Sequence, residues 1–158
     1  MFKSQSIRTN FDRLDEQMLQ FMANNGIRLL RISLALVFLW FGLLKVIGLS
    51  PVVALVANTM PWFPPEIFVP FLGIWELIVG FGLLFNWNLR LTLFLFWLQM
   101  AGTFLVLVMQ PEIAFQAGNP LLLTTEGEFV IKNLILITAG LVVGSTVRQI
   151  DGKGMPAS

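Results

Sequence analysis

Four polar side chains stand inside otherwise apolar runs: Lys45, Glu76, Gln99 and Lys132. An ionised carboxylate near the middle of a bilayer costs at least about 2.5–3.5 kcal/mol on insertion scales. Glu76 must therefore be paired, be protonated or face a polar cavity. At about 1.5 Å of rise per residue, Glu76 and Gln99 fall near the middle of their runs, Lys45 about 7 Å outward and Lys132 about 9 Å outward. A lysine stem is long enough for Lys45 to meet Glu76 and for Lys132 to approach from above. Two uses fit such a cluster. It could be a polar pocket that seats a ligand head group or carries a proton, or an ion pair that fixes helix register. Apolar substitutes for a buried pair are often as stable, so packing alone is a costly reason to keep one. Lys132 also fits a side chain that snorkels to the outer interface.

Trp40, Trp75 and Trp97 lie within the same runs. They could wall an aromatic ring such as a quinone, or serve as bulky filler of the core and lipid face. Trp62 and Trp87 fall at expected membrane interfaces, where indoles anchor helices. The chain has no Cys, no His and no Tyr. That removes disulfides, thiolate and imidazole metal ligation, Fe–S clusters, covalent c-type haem and imidazole general-base chemistry. Neither a Gly-rich phosphate loop nor a nucleophile–base pair is present. Any electrons that pass through this protein need a non-covalent small molecule or a partner protein.

The elements that must position these side chains follow from composition. Of 158 residues, 56% are hydrophobic and 12% charged, against about 25% charged in soluble domains. Mean hydropathy is +0.80. A soluble single domain, a disordered chain and a nucleic-acid binder with a basic face are excluded. Four apolar runs, at about 29–49, 68–85, 89–109 and 129–147, approach the length that crosses the hydrocarbon core. Backbone groups there must be satisfied internally, which forces helices. The reading is an all-α, four-transmembrane-helix bundle over residues 27–148. Residues 1–26 precede it and 149–158 form a flexible tail. Within the first segment Phe11, Leu14, Met18, Leu19 and Met22 recur at helical spacing, and Gly26 suits a helix stop. This predicts an amphipathic helix lying in the membrane interface.

Lys3, Arg8, Arg13, Arg28, Arg31, Arg90, Arg148 and Lys153 all fall on one side of a four-span arrangement. The positive-inside rule then puts both termini in the cytoplasm. Ser50-Pro51 predicts the start of a short interfacial helix in the first outer connection. Thr125 with Glu128 predicts a capping box at the last span. On helical spacing, Ala35, Phe38, Gly42 and Lys45 share one face, as do Gly73, Glu76 and Gly80, and Thr92, Gln99 and Thr103. Asn133, Ile137, Gly140 and Gly144 form a fourth such stripe. Small residues let helices approach and polar ones bond across them.

Three segments resemble the DoxX-like membrane proteins: RISLALVFLWFGLLKVIG, WELIVGFGLLFNWNLR and EGEFVIKNLILI, the last resembling the YkgB-type branch. The resemblance covers about residues 27–148. It places the family's Gly–Lys and Glu positions on Gly42, Lys45 and Glu76, and its Glu–Phe–Val–x–Lys–Asn stretch on Glu128, Phe129, Val130, Lys132 and Asn133. It implies a multi-pass protein of the bacterial inner membrane, associated with quinone-linked redox and oxidative-stress systems, some members acting beside a separate catalytic protein. The expected function is an accessory or quinone-linked subunit, with a non-covalent quinone, a redox partner protein or a second copy as candidate partners besides the bilayer. A small proton-coupled transporter and a scaffold without ligand are the alternatives.

Overall fold

The computed structural model describes the backbone of residues 2–147 and the side chains of residues 12–147. The expected tail, together with Arg148 and Lys153 and the side chains of Lys3, Arg8 and Phe11, lies outside these. The elements are α1 (Phe2–Val46), α2 (Val53–Thr59), α3 (Pro65–Phe85), α4 (Leu89–Met109), α5 (Pro111–Ala114), a 3₁₀ turn (Gln116–Gly118) and α6 (Thr125–Gly144). Among the described residues, four helices are long and apolar enough to cross a membrane: α1 from Asp12 onward, α3, α4 and α6. We term the end carrying α2 and α5 the outer end, after the orientation expected from the basic residues.

The helix boundaries have local causes. Two prolines precede the second apolar run, and α3 starts on Pro65, whose fixed φ suits the first helical position. It therefore begins three residues before the apolar run. α6 starts at Thr125 because the Thr124 side chain accepts from the Gly127 backbone N–H at 3.1 Å. The cap is thus Thr124, one residue before the expected one. Glu126 and Glu128 in its first turn complement the helix dipole. In the α3–α4 turn, Asn86 (φ 60°) and Asn88 (φ 37°) take left-handed conformations, which asparagine tolerates better than most side chains. After Ser50-Pro51 the chain first makes a turn, so α2 begins at Val53.

One boundary departs from expectation. The first helix does not stop at Gly26 but runs unbroken from Phe2 to Val46. A single glycine costs about 1 kcal/mol in a helix interior, too little to end a run that Met22 and Ala23 lead into and Arg28, Leu29 and Leu30 carry on. At 45 residues, α1 is roughly 67 Å long, about twice the hydrocarbon thickness. Leu14, Met18, Leu19 and Met22 remain exposed along its first half.

Neighbours in the bundle run α3–α1–α6–α4 and back to α3, with α1 on α3 the most extensive packing. The core is built on Leu34, Ala35, Phe38, Val79, Leu83, Phe96, Met100 and Val143. The glycine stripes are contact lines. A Cβ on Gly42 would meet the Gly73 carbonyl oxygen at 2.8 Å, and one on Gly73 would meet that of Gly42 at 2.7 Å. Gly80 sits against Leu39, and Gly140 against Phe96 and Trp97. Most large apolar side chains on the remaining faces are exposed, as lipid contact requires. At the inner end, the Arg31 guanidinium donates to Asn86 Oδ1 at 2.6 Å and ties α1 to the α3–α4 turn.

Candidate functional site

The close crossing of α1 and α3 brings Lys45 to Glu76. α1 runs outward and α3 inward, and Cα–Cβ bonds tilt toward each helix's own N-terminus. The Lys45 stem therefore leans into the membrane and the Glu76 side chain leans outward to meet it. Lys45 Nζ lies 2.6 Å from both Glu76 carboxylate oxygens. Lys45 is 7% exposed and Glu76 8% exposed. From α4, Gln99 Nε2 donates to Glu76 Oε1. A carboxylate ion only accepts, so the amide must turn its nitrogen toward Glu76 and its oxygen away. Gln99 Oε1 is buried, and no donor among the described residues reaches it.

The site thus retains hydrogen-bonding capacity. Lysine carries three N–H donors, two of which are directed at Glu76. The third, together with the free Gln99 acceptor, offers one donor and one acceptor at mid-membrane. Trp75, next to Glu76 on α3, bridges to α4 by donating its indole N–H to the Leu95 carbonyl at 3.1 Å. One turn outward of Gln99, Asn133 donates to the Thr103 hydroxyl at 3.4 Å and joins α6 to α4.

The other expected site residues lie elsewhere. Lys132 does not join the cluster. It pairs with Glu128 on its own helix at 3.1 Å, with 67% of its side chain exposed. The reason is local: α6 begins at Thr125, so a carboxylate stands one turn before Lys132 on the same face. Exposed pairs at this spacing contribute little, so Lys132→Ala should change stability by less than about 0.5 kcal/mol. A thermal melt in detergent checks this. Trp40 is 69% exposed on the outside of α1. Trp97 packs over Gly140 in an apolar groove with Ala101, Ile137 and Leu141 between α4 and α6. Of the three intramembrane tryptophans, Trp75 alone adjoins the cluster, so they do not wall one common pocket.

A second buried polar contact had no expectation attached to it. Gln110, at the outer end of α4, is 3% exposed. Its Nε2 donates to the Leu55 carbonyl at 3.0 Å and to the Thr59 hydroxyl, tying α2 down on α4. Its Oε1 is buried without a partner among the described residues. The usable signal was an amide closing an apolar helix. Its partners lie 51 and 55 residues away, which spacing along one helix cannot show.

The four spanning helices and the apolar outer surface make this a multi-pass membrane protein in contact with lipid. Comparison with curated proteins gives no match, and comparison with solved structures gives none either. The DoxX family model matches residues 26–109, more than half of the chain. That stretch holds the last 21 residues of α1, all of α2, α3 and α4, and the three side chains of the buried cluster. By this match the chain belongs to the DoxX family.

Proposed function

We propose that this chain is an accessory, quinone-linked subunit of a membrane redox or oxidative-stress system in the bacterial inner membrane. The Lys45–Glu76–Gln99 cluster carries the reading. It is a polar seat at mid-membrane with one donor and one acceptor unspent. A quinone carbonyl would take the remaining Lys45 N–H, and a quinol hydroxyl would donate to Gln99 Oε1. Head group and seat would meet in a medium of low dielectric, where such bonds are strong. With no Cys and no His in the sequence, thiolate and imidazole ligands for an iron or copper centre are missing. The electron donor or acceptor is therefore assigned to a partner protein. The resemblance to DoxX-like proteins, some of which act beside a separate catalytic protein, supports the same assignment.

The test uses protein purified in mild detergent from its native membrane, with mass spectrometry of the solvent extract and an inventory of co-purifying proteins. The expected result is about one quinone per chain, lost in Glu76→Gln, and a co-purifying redox protein. A preparation with neither quinone nor redox protein would overturn the reading in favour of transport or scaffolding.

A further inference from the structure

We infer that a lipid-soluble aromatic alcohol of the quinol type reaches the buried cluster sideways, through a window between α3 and α4 one turn outward of Gln99. This inference rests on the quinone-linked reading and adds the route and the surfaces that guide it.

The face of α4 that meets α3 is fixed by two contacts. The Leu95 carbonyl accepts from Trp75, and Gln99 donates to Glu76. Leu95, Gln99 and Gly102 follow at i, i+4 and i+7, so Gly102 belongs to the same face. It lies about 4.5 Å further outward. A Cβ on Gly102 would meet nothing within 4 Å. Gly42, Gly73, Gly80, Gly82, Gly127 and Gly140, in contrast, are all pressed against a neighbour. The α3–α4 seam is therefore closed by Trp75 and Gln99 at mid-membrane and open immediately above them.

An aromatic series runs along the outer half of α3, and Trp75 at its end is the ring that bridges to α4. Phe63 stacks on Phe68 at 5.1 Å between ring centroids, Phe68 on Phe71 at 6.5 Å, and Phe71 meets Trp75 edge-on at 6.0 Å. The rings lead from the outer connection to the residue beside Glu76. Ring-to-ring contacts of this kind favour a flat aromatic guest over a saturated acyl chain. At the outer end α2 packs on both α3 and α4 and is held by Gln110. It covers the top of the seam, so access is lateral, from lipid. At the inner end of the path the unpartnered Gln99 Oε1 requires a donor, which a ring hydroxyl supplies and a hydrocarbon does not.

The test uses the full chain in lipid nanodiscs and a benzoquinol carrying a ten-carbon tail. Binding is read by filtration of the radiolabelled probe and by quenching of tryptophan fluorescence. We expect saturable binding, with the larger part of the quenching absent in Trp75→Phe. Gly102→Phe fills open space and suits a helix, so it should fold. It should weaken or slow binding by about tenfold or more. Ala101→Phe, which faces the groove between α4 and α6, should not. Saturable binding with equal strength and rate in Gly102→Phe would overturn the window and leave the seat at Lys45–Glu76–Gln99 standing. No saturable binding to the unaltered chain would overturn both.

Discussion

Lys45→Met should lower the free energy of unfolding by about 3–5 kcal/mol, the range found when one partner of a buried ion pair is removed. Glu76→Leu should cost less, and the double variant should fold about as stably as the parent. The asymmetry follows from the positions. Lys45 is one residue from the outer end of α1, and its long stem can turn the ammonium toward the interface once Glu76 is gone. Glu76 lies eleven residues into α3, roughly 16 Å from its outer end, on a short stem that reaches no water. Without Lys45 its charge keeps only the Gln99 bond. Removing both charges eliminates the desolvation cost together with the attraction, and the two often balance. Equilibrium unfolding in mixed micelles of the two single variants and the double variant measures the coupling. A near-zero effect of Lys45→Met would show that the pair does not hold α1 to α3.

Gly73→Val should be as damaging, with an expected loss of about 3 kcal/mol or more and a weakened α1–α3 contact. The obstruction is backbone. A Cβ on Gly73 meets the Gly42 carbonyl oxygen at 2.7 Å and Lys45 Cβ at 2.8 Å. A flexible side chain could swing aside, but a carbonyl in the middle of a helix cannot move without moving the helix. Separating α1 from α3 would also stretch the Lys45–Glu76 bonds, so the cost combines overpacking with a loosened buried pair. Gly102→Val is the matched control, because a Cβ there meets nothing within 4 Å. Melting both variants in detergent separates this cause from the general effect of placing valine in a helix. Equal melting temperatures would remove the crossing from the account.

The sequence was most legible where the membrane constrains it most. α3 ends at Phe85 and α4 covers 89–109 as expected, each bounded by an asparagine or a polar amide. The three-residue cluster was legible because a charge in an apolar run must find a partner, and antiparallel neighbours bring residues of matching depth together. Depth along the run from 129 could not decide whether Lys132 joined the cluster or snorkelled to the outer interface. The helix starts four residues earlier, on a threonine cap, and supplies its own carboxylate at Glu128. The small-residue stripes showed which faces were contact faces. That Gly42 meets Gly73 depended on which helices are neighbours, a property of the whole bundle. Gln110 on Leu55 and Thr59, and Arg31 on Asn86, join positions more than fifty residues apart. No local pattern carries that information.

The distinction that matters most is between a cluster that binds and one that only packs. The double variant Lys45→Met with Glu76→Leu separates them, because it is expected to keep the fold while removing the donor and the charge. The most direct measurement is saturation binding of the ten-carbon benzoquinol to this variant and to the parent, in the same nanodiscs and with stability checked on each sample. The account predicts saturable binding to the parent and a loss of about tenfold or more in affinity in a double variant that melts with the parent. Equal affinity in a stable double variant would contradict it and leave Lys45 and Glu76 as a packing device between α1 and α3.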